Sequence, residues 1–404
     1  MKEDSHTSTR RIRVLMDSQA FDFQTHGGVS CCFAGLISHM PEYIDITLPI
    51  LETNNQYLKE MGLAPERDYY MEFCKGHPTS VNRFWYKVLT NIRHGHWRQW
   101  DRMPHYSIFE AERQLERGDF DVFHPTFFDP YFLDKIGKKP FVLTVHDMIS
   151  ERYSDTYRFH DGQRQGKRKL IPRAAHIIAV SEHTKQDIVD LFDVSPEKIS
   201  VIYHGIDQSP YVPSPEGNPN GRYILYVGGR NKYKNFLRFV HDVTPVLRTH
   251  QDLSVICTGK PFNQEELRVL QDSGFPDRYV QKFVESDQEL MDLYHFAQVF
   301  VFPSEYEGFG IPILEAYKAG CPVMLNRASC FPEIAGDAAI YFGFDGKEKS
   351  LQECIEDLLA WTPAQRQEFV DVQRQRLQLY TWEKAARELA EVYRKVASSI
   401  IHNS

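Results

Sequence analysis

Residues 302–320, FPSEYEGFGIPILEAYKAG, read as the end of a strand, a tight glycine loop and the start of a helix. The run before it, VFVF at 299–302, is β-branched and aromatic enough for a buried strand, and Pro303 with Ser304 ends it. Gly308 and Gly310 admit backbone conformations closed to other residues and let a ligand come close to the main chain. Pro312 suits an early helical position, where its missing N–H costs nothing. The N–H groups of 310–313 are then expected to point out of the helix N-terminus, a site fit for phosphate. Two carboxylates lie here, Glu307 in the loop and Glu315 in the first helical turn. A solvated loop acid and a macrodipole-favoured capping charge are the competing readings of the pair.

Bulk properties limit the alternatives. At 404 residues the chain exceeds one ordinary core, so two domains are expected. Its 42% hydrophobic and 25% charged residues are those of a globular protein. A net charge of −8 argues against sequence-independent binding to nucleic acid, which is not expected as a partner. Seven cysteines without a C-x-x-C pair point to reduced thiols, not to a disulfide framework or a zinc centre. The polar start, MKEDSHTSTRR, runs straight into strand-like 12–16 without the apolar region of a signal peptide, and no stretch is long enough to span a bilayer. A cytoplasmic location is expected, with peripheral contact at the inner membrane as an extension.

Taken in order, the chain alternates strands and helices twice. Residues 12–16 read as a strand and Gly27-Gly28-Val29 opens a helical segment to about Met40; 44–50 is a second strand. From 82 to 118 Phe84, Trp85, Tyr86, Trp97 and Trp100 interleave with arginines, a basic aromatic pattern that suits either a solvated amphipathic face or an anionic membrane surface. His94 and His96 lack a nearby third ligand and read as surface histidines, so no metal is assigned. Asp119-Phe120-Asp121 reads as a structural loop end before a strand at 122–124.

A strong strand at 141–145 ends in His146-Asp147, and carboxyl ends of strands are where open α/β sheets bind ligands. After a strand at 177–180, Ser181 reads as the N-cap of the next helix; adjacent Ser181, Glu182 and His183 cannot form a hydrolytic triad, whose members meet through the fold. A strand at 199–203 and the proline- and glycine-rich SPYVPSPEGNPNGR close the first half. The second half restarts with a strand at 223–227, then Gly228-Gly229-Arg230, Lys232 and Lys234 before a helix. Cations at a helix start oppose the helix dipole, which favours a role for Arg230 and Lys234 on a diphosphate, with Lys232 as a further candidate. Strands at 253–257, 279–284 and 322–325, a turn at Phe331-Pro332-Glu333 and two or three helices complete the chain.

Glu307 and Glu315, seven residues between them, with Gly308-Phe309-Gly310 after the first and Pro312 beyond, resemble the donor-site motif of retaining nucleotide-sugar glycosyltransferases of glycosyltransferase family 4, the sucrose-synthase and mannosyltransferase-like group with the GT-B fold. The resemblance implies an α/β chain of two Rossmann-like domains facing across a cleft: an acceptor domain at 1–206, a linker at 207–221, a donor domain at 222–380, and a last helix at 381–404 that returns to the first domain. It implies that Gly27, Gly28, Arg230, Lys234, Val284, Gly308, Phe309, Gly310, Ile311 and Glu315 bind the donor, and that Glu307 and His146 act at the sugar, with Asp147 a further candidate. No cofactor is expected, the nucleoside diphosphate sugar being the donor substrate. The expected acceptor is a glycan or lipid-linked saccharide of cell-surface polysaccharide synthesis, and the first expected donor GDP-mannose, followed by UDP-hexoses. A glycosidase would have no use for the cations, and an NAD enzyme would carry Gly-x-Gly-x-x-Gly where GGVS stands. A nucleotide-sugar epimerase of the same fold and a non-catalytic sugar-nucleotide binder are the remaining alternatives.

Overall fold

The computed structural model describes residues 10–51, 53–65, 106–153, 161–230 and 232–401. Trp97, Trp100, His94, His96 and most of the basic aromatic stretch lie outside the described residues. The chain divides into two compact units: Met1–Val180, Lys185–Gly205 and Trp382–Ser404 form the first, and Ser181–Thr184 with Ile206–Thr381 the second.

The first unit is built on short apolar strands, β1 (Ile12–Met16), β2 (Ile44–Thr47), β3 (Val122–His124), β4 (Val142–Val145), β5 (His176–Ala179) and β6 (Ile199–Val201). They pair in parallel as β2-β1-β3 and β4-β5-β6, and a bridge between Phe123 and Phe141 links β3 to β4. Parallel pairing requires crossovers, supplied by helices α1 (Gly28–Ser38), α2 (Asp161–Leu170) and α3 (Glu182–Phe192).

The second unit carries β7 (Arg222–Tyr226), β8 (Leu253–Thr258), β9 (Tyr279–Lys282), β10 (Val299–Phe302), β11 (Val323–Asn326) and β12 (Ile340–Phe342). Its helices are α4 (Phe236–Thr249), α5 (Gln264–Asp272), α6 (Asp287–Phe296), α7 (Ile311–Ala319), α8 (Leu351–Leu359) and α9 (Pro363–Leu377). All strands are parallel in the order β12-β11-β10-β7-β8-β9. A parallel sheet covered on both faces has buried side chains on both, which is why VFVF of β10 is continuous and not alternating. Val299, Phe300 and Val301 are fully buried, and each such side chain contributes about 1.5–3 kcal/mol.

The order places β10 and β8 on opposite sides of β7, so the chain reverses direction of travel there. The loops after β7 and β10 therefore flank one crevice at the carboxyl end of the sheet, where doubly wound folds bind ligands.

The last helix, α10 (Trp382–Ile401), belongs to the first unit: Trp382, Leu389 and Tyr393 share a core with Val14, Met16, Phe33 and Leu36. Among the described residues no helix is long and apolar enough to cross a membrane.

Several expected boundaries move. The strand expected at 44–50 ends at Thr47 and the one at 279–284 ends at Lys282. Phe331–Ala335 is a short helix where a turn is expected, and β12 was without a sequence signal strong enough to be expected at all.

Candidate active site

In the second unit, Lys234 follows β7 and Glu307 follows β10, and the fold brings them together. Lys234 Nζ lies 2.8 Å from Glu307 Oε1, and both side chains are mostly shielded, 17% and 14% exposed. Shielding makes this pair stronger than a surface ion pair. The hydroxyl of buried Ser304 donates to the same oxygen at 2.8 Å. Ser329 holds the Glu307 backbone from both ends, accepting from its N–H at 3.1 Å and donating to its carbonyl at 2.8 Å.

The two loops are also stitched through the main chain: Glu305 N–H donates to Tyr233 O at 2.8 Å, and Asn235 Nδ2 to Pro303 O at 3.1 Å. Asn235, at φ 52, caps α4 in the left-handed region that asparagine tolerates. Ser304, Ser329, Tyr233 and Asn235 carry no motif of their own, so the sequence singles out none of them. Lys232, by contrast, is exposed at the same loop.

Arg230 is placed differently. Its Nε lies 3.1 Å from Glu266 Oε2, both side chains almost fully buried. Nη1 donates to Thr258 O at 3.3 Å, and Nη2 to Pro261 O at 3.0 Å and to Lys260 O. Phe262 stacks under the guanidinium, 4.8 Å from its carbon. Glu266 is itself engaged in the capping box of α5 with Asn263. Of the five donors a guanidinium owns, the hydrogen bonds leave one on Nη1 and the buried Nε–H, which lies at ion-pair distance from Glu266 without a hydrogen bond among the described residues. The sequence treats Arg230 and Lys234 alike, whereas the fold ties Arg230 into its own loops.

Gly310 caps α7 at φ 94, and an added Cβ would lie 3.1 Å from Ile313 Cδ1, so both conformation and space require glycine there. The expected row of N–H groups is shorter than the sequence suggests. Ile313 N–H is already bonded to Gly310 O at 2.9 Å, and Pro312 has none. Ile311 opens the helix, half-buried.

Glu315 lies beyond the first turn of α7, which contains no acid, so the capping reading fails. Tyr294 on α6 donates its hydroxyl to Glu315 Oε2 at 3.0 Å. Burial, then the adjacent carboxylate, push the Tyr294 phenol well above its ordinary pKa. Phe309 is buried edge-on to Tyr380 at 5.8 Å, and Gly308 O accepts from Ser181 Oγ at 2.7 Å. Val284 sits half-buried after β9, beside Phe283, which is 71% exposed and which the sequence reading passes over.

Ser181 caps α3, accepting from Thr184 N–H at 3.0 Å, and the Glu333 carboxylate takes the N–H groups of Glu182 at 2.7 Å and His183 at 3.2 Å. The three residues therefore serve the helix end.

In the first unit, Gly28 begins α1, but Gly27 is extended, at φ 177, and not in a left-handed turn. An added Cβ at Gly27 would lie 2.6 Å from Gln24 Cδ, so the Gln24 amide would have to move. Gln24 Oε1 accepts from Ser30 N–H at 2.9 Å, serving as an amide cap on the N-terminus of α1.

His146 ends β4. Burial drives its pKa down to about 4; Asp147 opposes this and the Lys167 charge adds to it. The ring is thus neutral at physiological pH, and its buried Nε2 has no hydrogen-bond partner among the described residues. Asp147 Oδ1 accepts from Ile149 N–H at 3.0 Å, turning the chain after the strand. Fully buried Lys167 on α2 clamps this turn, donating to Asp147 O at 2.7 Å and Glu151 Oε2 at 3.0 Å. Asp121 receives Arg10 Nη2 at 2.8 Å and Arg13 N–H at 2.9 Å, a structural role at the start of β3.

Residues 73–209 match the family model described as Glycosyltransferase Family 4, and residues 210–376 the model described as Glycosyl transferases group 1. The O-antigen chain mannosyltransferase RfbU of Salmonella typhimurium is 30% identical over 216 residues, which are 54% of this chain and 60% of that protein. The MMP alpha-(1->4)-mannosyltransferase of Mycolicibacterium hassiacum is 27% identical over 307 residues, 70% of this chain and 72% of that protein. Among solved structures, Anabaena HepE in complex with UDP and glucose superposes with a TM-score of 0.66 at 15% identity, covering 95% of this chain and 100% of that one.

Proposed function

Because the chain belongs to the glycosyl transferases group 1 family, with the GT-B fold of two Rossmann-like domains, we propose that it is a retaining, metal-independent hexosyltransferase. It moves a sugar from a nucleoside diphosphate to a hydroxyl of a glycan or lipid-linked saccharide. Mannose from GDP-mannose is the first donor to test, since the Salmonella and Mycolicibacterium relatives are named as mannosyltransferases. The O-antigen role in the first of these names motivates a place in cell-surface polysaccharide synthesis.

The observation that carries this reading is the Lys234–Glu307 pair, 2.8 Å apart at the point where the strand order reverses. A diphosphate arriving at Lys234 competes with Glu307 for the ammonium, and Glu307 is then released to accept hydrogen bonds from the donor sugar's hydroxyls. Lys234, the positive N-terminus of α7 after Gly310 and the remaining Nη1 donor of Arg230 stabilise charge growing on the leaving diphosphate. The anomeric carbon–oxygen bond to phosphate breaks as the acceptor oxygen bonds to that carbon on the same face. The acceptor's proton passes to the departing phosphate oxygen, so no separate base is needed.

Neutral His146 hydrogen-bonds a sugar hydroxyl. Glu315, oriented by Tyr294, takes the ribose hydroxyls, and Val284 with exposed Phe283 offers an apolar face to the base. The remaining assignments, Gly27, Gly28, Gly308, Phe309, Ile311, Asp147 and Lys232, are proposed as the frame of the donor site.

The test is a thermal-shift series of the whole chain with GDP, UDP, ADP, their sugars and NAD, followed by product analysis with the stabilising sugar nucleotide. Stabilisation by one nucleoside diphosphate, lost in Lys234→Ala, is expected. Stabilisation by NAD alone, or release of free sugar with no transfer to any acceptor, would overturn the proposal.

A further inference from the structure

We propose that Cys32, His146 and His204 form a buried binding site in the first unit for one thiophilic divalent cation, zinc foremost, and that its occupation withdraws His146 from the sugar. Cys32 is on α1, His146 at the end of β4 and His204 just beyond β6, so three separate elements converge. One ligand atom from each lies within 4.8 Å of the other two. Zinc–sulfur and zinc–nitrogen bonds of about 2.3 and 2.0–2.1 Å place one sulfur and two nitrogens of a tetrahedral site roughly 3.3–3.6 Å apart. Side-chain adjustments of about 1 Å therefore close the site.

The chemistry of the donors selects the metal. A thiolate with two imidazoles suits zinc or cobalt and rejects magnesium and calcium, which require oxygen ligands. Cys32 and His204 are buried, and the rings of His146 and His204 stack with centroids 5.8 Å apart. Phe33 packs edge-on to His146 and Trp382 borders His204, so the site has an apolar wall.

His146 Nε2 is the independent indication: it is buried and has no hydrogen-bond partner among the described residues. Buried polar atoms are rarely left so, and a metal bond made through this nitrogen would satisfy it. As the metal–sulfur bond forms, the Cys32 thiol proton leaves to solvent; no electron is transferred. Three protein ligands leave the fourth position to water, as in exchangeable zinc centres and unlike closed structural ones.

The binding half stands on geometry alone, while the inhibitory half rests on the role proposed above for His146. Cobalt(II) titrated into the whole chain, without donor or acceptor, is expected to give one equivalent of tetrahedral cobalt with a near-ultraviolet sulfur-to-cobalt charge-transfer band that zinc abolishes. Cys31→Ser keeps the band and Cys32→Ser loses it, with melting curves checking that both fold; Cys32→Ala replaces the serine variant if it does not. Absence of the band in the natural protein, or its persistence in the folded Cys32 variant, overturns the site.

In the transfer assay, zinc is expected to lower the rate at least about tenfold, reversibly with chelator. Cys32→Ser, active without metal, resists this inhibition. Equal inhibition of the variant would sink the inhibitory half, and failure to detect any transfer would count against the proposed function while leaving the optical result to decide the site.

Discussion

The two units carry the same strand-turn-helix plan but present different groups at the ends of their strands. In the second, Lys234 pairs with Glu307 and Arg230 with Glu266, charges held by charges. In the first, His124 and His204 are buried, His146 is half-buried, all three are kept neutral, and the N-terminus of α1 is capped by the amide of Gln24. The difference teaches what each end can receive. An ion pair can be exchanged for a polyanion that brings its own charge, whereas a neutral pocket suits uncharged hydroxyls.

The sharpest way to break the comparison is Glu307→Gln, which keeps the shape and removes the charge. Its transfer rate is expected to fall by about 10³-fold at saturating donor, in line with the loss of a preorganised polar contact. A fall under tenfold would show that the carboxylate only balances Lys234. Next, Lys234→Ala is expected to cost about 10²-fold in kcat/KM, and nucleotide affinity measured by calorimetry should fall with it. Unchanged affinity for the nucleoside diphosphate would remove Lys234 from the phosphate site.

The neutral side of the comparison is tested by acid. In the folded chain burial holds His124 and His204 near pKa 3, while in the unfolded chain they take up protons near 6.5. Their folded pKa values are depressed, so stability is complete above about pH 6.5 and is lost as pH falls from there towards 3. Between pH 7 and pH 5.5 each should cost about 1 kcal/mol. Chemical denaturation across this range measures it, and His124→Gln should flatten the slope.

Gly310→Ala forces a side chain into φ 94 and against Ile313, for an expected loss of about 1–2 kcal/mol. A melting temperature equal to that of the natural protein would show that the loop relaxes. The smallest effect is expected from Tyr294→Phe, which removes one hydrogen bond to Glu315. About 0.5–1.5 kcal/mol should appear as a few-fold rise in KM for the donor with kcat unchanged.

Much of the fold was legible because short parallel strands leave a local signature. IRVLM, VFH and VFVF coincide with β1, β3 and β10; VFVF shows the pattern fully, since a strand covered on both faces is a continuous apolar run. Strand ends were less legible: β2 stops early because Leu48 and Ile50 pack against the core without pairing, and β9 stops early although apolar Phe283, which is exposed, follows it. Glycines were legible only as markers. Gly310 is left-handed as its place in the motif suggests, but Gly27 is extended and meets only the amide of Gln24, a neighbour no local pattern reports.

What the amino-acid order determined by itself was thus the alternation of strands and helices, the position of the loops and the residue types on them. Tertiary structure alone decided the partners: Lys234 with Glu307 and not with solvent, Arg230 with Glu266, Tyr294 with Glu315, and Cys32 beside His146 and His204. The physical reason is that periodicity reports burial along one element, whereas a pair of side chains meets only after strand order has set which loops are neighbours. Where β10 lies against β7, two loops far apart in the chain become one site.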